Sequence, residues 1–261
     1  MASAVSLYTL GPMFRAVCLS ATSEAVGFPK ENLMDFNPDT YWKATSAALQ
    51  QIVIDLGSAK NITALVVWVN NYSGNQTTTT YELFSSPDNA VYTSRGTGNF
   101  GELASQPIII KDISVQTFRY WRFDFDASAT AGQISGIWWC QKFTISQGNE
   151  WPENDLQIYH NRSFMSYGGR SIVQAINSNK VEQFGRTYQL DDAKMTVLKN
   201  AFIDSAGTRL PVILQEGAAN ADARLVRFGE DSLDENQFEY QLYRPTIRFI
   251  TMPYIADGAN F

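Results

Sequence analysis

Few residues of this chain can carry chemistry unaided. Its single histidine, His160, lies in Gln157-Ile-Tyr-His-Asn-Arg162, so a Ser–His–Asp relay would have to run through it. No Gly-x-Ser-x-Gly elbow, phosphate-binding Gly-x-x-x-x-Gly-Lys-Ser/Thr loop or dinucleotide fingerprint occurs. Gly168-Gly169 reads as a turn. The carboxylate pairs open to acid–base work are Asp191-Asp192, Asp124/Asp126 and Glu230-Asp231. Each also has a structural use. The first opens a helical pattern, where negative charge favours the dipole. The second pair shares one face of a strand end, and the third follows Gly229 in a polar loop. Two cysteines, Cys18 and Cys140, and one distant histidine make a poor zinc set. No enzyme is expected.

The elements that must position these groups are mostly strands. The chain has 261 residues, 44% hydrophobic and 18% charged, with a formal net charge of −6. That composition supports a full core and argues against disorder. With no basic stripe, nucleic acid is not expected as a partner. No apolar run is long enough for a membrane-spanning helix, so no membrane insertion is expected. Met1–Gly11 lacks the basic start and apolar centre of a secretory signal, so synthesis in the cytosol is expected.

Short β-forming runs bounded by Gly, Asn, Ser and Pro fill the first half: Gln51–Leu56, Ile62–Val69, Thr77–Ser85, Gln106–Lys111, Phe118–Phe125 and Ile137–Ile145. Trp42, Trp68, Trp121 and Trp138 sit in strand contexts and are expected in the core. Trp139, on the opposite face from Trp138, is expected at an edge or a domain junction. Ser146–Asp155, polar with Gly and Pro, reads as a linker that proteolysis should cut. It divides the chain into domains 1–147 and 148–261. The second domain carries one helix, about 190–204, with apolar residues at 190, 195, 198, 202 and 203, Asp191 as N-cap and Gly207 beyond its end. Strands Arg186–Leu190, Leu210–Gln215 and Arg224–Gly229 surround it, and Phe238–Ile250 reads as one long final strand.

Four pieces of the first half, in order, resemble a discoidin (coagulation factor 5/8 type C) domain. They are Asn32–Trp42, a turn rich in Asp, Asn and Pro that closes on Thr-Tyr-Trp; Ile52-Val-Ile-Asp-Leu-Gly57; Tyr81–Asn89 with its Ser-Ser-Pro-Asp-Asn turn; and Phe118-Arg-Tyr-Trp-Arg-Phe123. The resemblance spans roughly residues 15 to 147 and implies a β-sandwich, or jelly roll, that binds glycans, lipids or proteins through loops at one end. Those loops include Phe28–Glu31, Asn70–Gln76 and Arg95–Phe100. Asn71, Tyr72, Asn75 and Arg95 are of the type that holds a sugar, an aromatic face with amide and charged partners. The family also implies a structural calcium. Asp35, Asn37, Asp39 and Thr40 offer oxygens for it, but Gly136 or Ile137 stands where the family often has a late Glu. The alternative is a hydrogen-bonded Asx-type turn. No other cofactor is expected. The family often closes its ends with a disulfide, which here would join Cys18 and Cys140, whereas cytosolic synthesis favours thiols.

The second half, strands around one helix, resembles the β-sandwich or split-barrel modules of phage tail proteins. That implies a structural virion component of a tail tip or baseplate. Its partners would be other tail proteins, a ring of its own copies, and a host-surface glycan held by the discoidin-like part. Tyr240, Tyr243, Arg244 and Phe249 in the last strand, and Tyr254 beyond it, are the interface candidates, since aromatics and Arg are enriched at interfaces. The alternative is a stand-alone carbohydrate-binding lectin. A glycoside hydrolase with an attached binding module fits less well, since about 110 residues past the linker are few for a catalytic domain.

Overall fold

The computed structural model describes residues 5–37, 39–46, 48–69, 80–100, 108–126, 133–145, 149–158, 161–165, 171–175, 181–188, 190–207, 209–215, 223–229, 237–239, 242–243 and 246–251. For the described residues of 149–188 and 237–246, and for 126, 248 and 251, it describes the backbone path alone. The first half is built from β1 (Val5–Thr9), β2 (Val17–Ala21), β3 (Trp42–Lys43), β4 (Leu49–Val69), β5 (Thr80–Ser86), β6 (Thr93–Asn99), β7 (Ile108–Asp126) and β8 (Gln133–Ile145). Short 3-10 turns occupy Gly11–Met13 and Lys30–Met34.

The β-branched runs join into longer strands than the sequence reading expects. Ile52–Leu56 and Ile62–Val69 are two arms of β4, and Ile108–Lys111 and Phe118–Phe125 are two arms of β7. These strands pair antiparallel from Leu49↔Asp126 to Trp68↔Ile108, and the register breaks between Asp55 and Lys60. Gly57 sits in that break with φ +75°, a conformation that a side chain disfavours. There the ribbon folds back on itself. Trp121, beside Ile54 in the first arm, meets Trp139, beside Leu65 in the second, with ring centroids 4.4 Å apart. Two sheet layers facing across an apolar core make a β-sandwich, as expected.

Trp42, Trp68, Trp121 and Trp138 are buried in this core. Trp139 is not at an edge; it too is buried. Neighbouring residues do face opposite sides of β8, but both sides are covered. Trp139 packs on Trp121, while Phe36 lies 6.0 Å from Trp138. Cys18 and Cys140 are both free thiols. Cys140 is sealed in the core, where burial pushes its pKa up.

The second half contains β9 (Asn149–Ile158), β10 (Asn161–Met165), β11 (Ser171–Ala175), β12 (Val181–Tyr188), β13 (Leu190–Asp191), α1 (Asp192–Asp204), β14 (Val212–Gln215), β15 (Ala223–Phe228), β16 (Gln237–Glu239), β17 (Leu242–Tyr243) and β18 (Thr246–Thr251). Most of the expected linker is strand: Asn149–Asp155 belongs to β9, at the end of a sheet running β8-β1-β14-β15-β18-β12-β9. An edge strand tolerates polar residues and a proline, which is why it reads as a linker. Its ladder with β12 is irregular between Gly185 and Thr187, opposite the segment that contains Pro152. The single long strand expected over Phe238–Ile250 is β16, β17 and β18, in two different sheets.

Helix α1 starts as expected. Asp191 accepts a hydrogen bond from the Lys194 backbone N–H at 2.9 Å. Met195, Leu198 and Ala201 are its buried face, and Ile203, expected on the apolar stripe, is exposed. With Val5, Leu7, Ile145, Leu214, Phe228 and Phe249 they form a second core. β1 supplies residues to that core and lies between β8 and β14, pairing with both. Among the described residues, no helix is long and apolar enough to cross a membrane.

Candidate ligand-binding end of the sandwich

The strand registers gather several chain ends at one end of the sandwich. Val69 pairs with Ile134, Trp68 with Ile108, Thr80 with Asn99, Leu49 with Asp126, and Lys43 with Gln133. The described residues that flank 70–79, 101–107 and 127–132, among them Val69, Thr80, Asn99, Ile108, Asp126 and Gln133, therefore all lie at this end. Trp42 ties the two layers there: its indole N–H donates to Ser23 O at 3.0 Å and its ring lies edge-on to Phe125, 6.1 Å away.

The described wall at this end is the segment from Ser23 to Lys43. Phe28 and Tyr41, both half-buried, stack with centroids 4.6 Å apart and planes 21° apart. Lys43 Nζ lies 5.8 Å from the Phe28 ring centre. Asn32 Nδ2 donates to Tyr41 O at 2.8 Å, and Lys30 sits between Glu24 at 3.5 Å and Glu31 at 3.0 Å. Aromatic surface bordered by amide, ammonium and carboxylate groups suits a ligand that is apolar on one face and rich in hydroxyls at its edge. Phe28 falls in a loop expected to bind. Tyr41 was not singled out by the sequence reading: it precedes a core tryptophan and reads as part of the turn.

Asp35, Asn37, Asp39 and Thr40 do come together. Asp35 Oδ1 accepts from Asn37 N–H at 2.9 Å, Asn37 Oδ1 accepts from Asp39 N–H at 3.1 Å, and Thr40 Oγ1 donates to Asp35 Oδ2 at 2.5 Å. These are nested Asx turns, whose oxygens face donors of the same segment. No cluster of three or more His, Cys, Asp or Glu placed to hold a metal occurs among the described residues.

The other candidates separate. Asn71, Tyr72 and Asn75 lie outside the described residues. Arg95 is on β6 but away from the loop-bearing end, four residues along the strand from Asn99, or about 13 Å. Its guanidinium stacks 4.5 Å over Phe118 and Nε donates to Ser85 Oγ at 2.6 Å, so it braces the sheet surface. Phe249, expected at an interface, is buried in the second core, 5.5 Å from Phe228. Its face of β18 packs into the core shared with Phe228, Leu214 and Met195, so it is covered from within the chain. Tyr243 lies on β17, and Tyr240, Arg244 and Tyr254 lie outside the described residues, as do His160 and Glu230-Asp231. Asp124 accepts from Arg122 at 2.8 Å and Gln51 at 3.0 Å, with burial raising its pKa. Asp191 caps α1 by accepting from the Lys194 N–H.

The residues that carry the sequence resemblance hold the sandwich together. Arg119 pairs with Asp55 through two hydrogen bonds of 2.8 Å, and Asp55 also accepts from Gly57 N–H at 2.7 Å. Arg122 lies between the rings of Phe84, at 4.3 Å, and Tyr92, at 4.7 Å. Ser86 and Asp88 close the β5–β6 turn by accepting its backbone N–H groups.

Residues 19–139 match the F5/8 type C domain family. No curated protein sequence matches the chain. Similar solved structures include CBM32-3 from a family 31 glycoside hydrolase of Clostridium perfringens, 22% identical over 50% of this chain and 94% of that one, with a TM-score of 0.44. CpGH89CBM32-5 of the same organism, in complex with GalNAc-β-1,3-galactose, is 18% identical over 48% and 95%, TM-score 0.43. The family 32 CBM of C. perfringens NanJ, in complex with galactose, is 19% identical over 52% and 99%, TM-score 0.43.

Proposed function

We propose that this chain is a non-catalytic carbohydrate-binding protein whose F5/8 type C sandwich takes a glycan at its loop-bearing end. The observation that carries the reading is the convergence of the strand ends Val69, Thr80, Asn99, Ile108, Asp126 and Gln133 on one end of a sandwich matched by that family, beside the half-buried Phe28–Tyr41 pair. The second half then serves as the body to which the sandwich is fixed. No finding supports the tail-module resemblance of that half, nor the virion role, ring assembly and tail partners that rest on it. The lectin reading needs none of these.

The test is calorimetric titration of the full chain with galactose and GalNAc-β-1,3-galactose, alongside a screen on a glycan array. Binding that is lost in Phe28→Ala or Tyr41→Ala, with melting temperature retained, supports the proposal. A chain that retains no glycan on the array, or whose binding is untouched by both substitutions, contradicts it.

A further inference from the structure

A polar cleft of about 260 Å³ opens where the two halves meet, lined by Gly11, Pro12, Lys60, Asn61, Gln141 and Asp204. Lys60 and Asn61 come from the fold-back of β4, Gln141 from β8, and Asp204 from the last turn of α1. The loop-bearing end is about eight residues away along the second arm of β4, or about 26 Å.

The carboxylate in this cleft is held firmly. Thr9 Oγ1 donates to Asp204 Oδ2, and the Gly11 N–H donates to the same group. A Cβ on Gly11 would lie 2.2 Å from Asp204 O and 2.5 Å from its carboxyl carbon, so only glycine permits this approach. A carboxylate has about four acceptor sites, and these two donors leave others for the cleft. Burial pushes the Asp204 carboxyl above the usual range, against the opposing pull of Lys60. The Asn61 carbonyl oxygen accepts from Thr117 Oγ1 at 2.6 Å, which leaves its NH₂ as the donor.

We propose that this cleft is a second ligand site, which takes one sugar-sized polyol through hydrogen bonds from Lys60, Asn61 and Gln141 and to Asp204. The lining carries one ammonium and one carboxylate, so a neutral ligand leaves no net charge uncompensated. Donors and acceptors are mixed, and each hydroxyl of a polyol is both. The volume is just below the roughly 300–1,000 Å³ of pockets for drug-sized ligands, which suits a single ring. Among the described residues no aromatic lines the cleft, so recognition would be by hydrogen bonds, unlike that at the loop-bearing end. Two such sites on one body would add avidity toward a glycan-coated surface. The inference rests on the carbohydrate reading.

Backbone amide NMR of the full chain, titrated in turn with galactose, N-acetylgalactosamine, glucose, mannose and glycine, tests it. At least one sugar should move the Lys60, Asn61 and Gln141 signals saturably. Lys60→Ala, which touches neither Thr9 nor Gly11, and Asp204→Asn should weaken that response about tenfold or more. Signals of Phe28 and Lys43 should respond as before in both variants. Sugar-induced shifts at Phe28 and Lys43 alone would remove the second site and leave the carbohydrate reading standing. Shifts at the cleft alone would support the second site and remove the loop-bearing end. No shift at either, for any sugar, would remove both. A cleft that responds to glycine and to no sugar would overturn the polyol assignment.

Discussion

At the scale of single residues, Asp55 shows why a short motif persists as a unit. Its carboxylate receives two donors from Arg119 and one from Gly57, which stands at the fold-back. The Arg119 hydrogen bonds, ahead of the Gly57 N–H, hold its pKa below the usual carboxylate range. A lowered folded pKa means stability present above the unfolded value, about 3.9, and lost as pH falls through the folded value. Asp55→Asn should therefore lower the melting temperature by a constant amount from pH 7 to 5. The gap to the unsubstituted chain should close below about pH 4. Melting curves across that range check the sign; a gap that widens in acid would contradict it. The Asx turn yields a second prediction. Asp35→Ala removes acceptors for Asn37 N–H and the Thr40 hydroxyl, worth about 1 kcal/mol each. Because donors of the same segment already face those oxygens, chelation with EDTA should leave the melting temperature of the full chain unmoved. A drop on chelation would show that the oxygens also serve a cation.

At the scale of elements, α1 and β18 separate local from tertiary information. The N-cap was legible because Asp191 precedes a helical pattern, and its hydrogen bond to Lys194 N–H is local. Asp191→Ala should cost about 1 kcal/mol, read from chemical denaturation of the full chain. Phe249 shows the opposite case, because an alternating aromatic strand has the same composition at a core and at an interface. Its full burial against Phe228 predicts a loss of about 3–5 kcal/mol for Phe249→Ala, with the oligomeric state unchanged by light scattering. A variant of unchanged stability and altered assembly would restore the interface role.

For the whole molecule, β1 decides how the halves hold together. It is the first described strand, yet it pairs with β8 on one side and β14 on the other, and Val5 and Leu7 enter the second core. A cut between β8 and β9 therefore leaves β1 bridging both pieces. After proteolysis at 146–148 the fragments should still elute together without denaturant, and a chain lacking residues 1–9 should separate on the same cut. Release of two pieces from the nicked full-length chain would show that the β1 ladder is too weak to hold them.

The sequence by itself determined the local patterns. Alternation of β-branched residues marked the strand arms, Gly57 marked a break, and Asp191 marked the start of the helix, because each depends on a few neighbouring torsions and hydrogen bonds. The four motif pieces pointed to the sandwich, and in it their side chains close turns and an ion pair: Ser86 and Asp88 at the β5–β6 turn, and Asp55 with Arg119 across β4 and β7. Tertiary structure alone decided three matters. It covered both faces of β8, so Trp138 and Trp139 are both core. It made polar Asn149–Asp155 an edge strand, since an edge strand needs a hydrogen-bonded neighbour on one side only. It brought Lys60, Gln141 and Asp204 to one cleft from three distant segments. Pairings of this kind depend on register and on what lies across a sheet, and spacing along the chain carries no record of either.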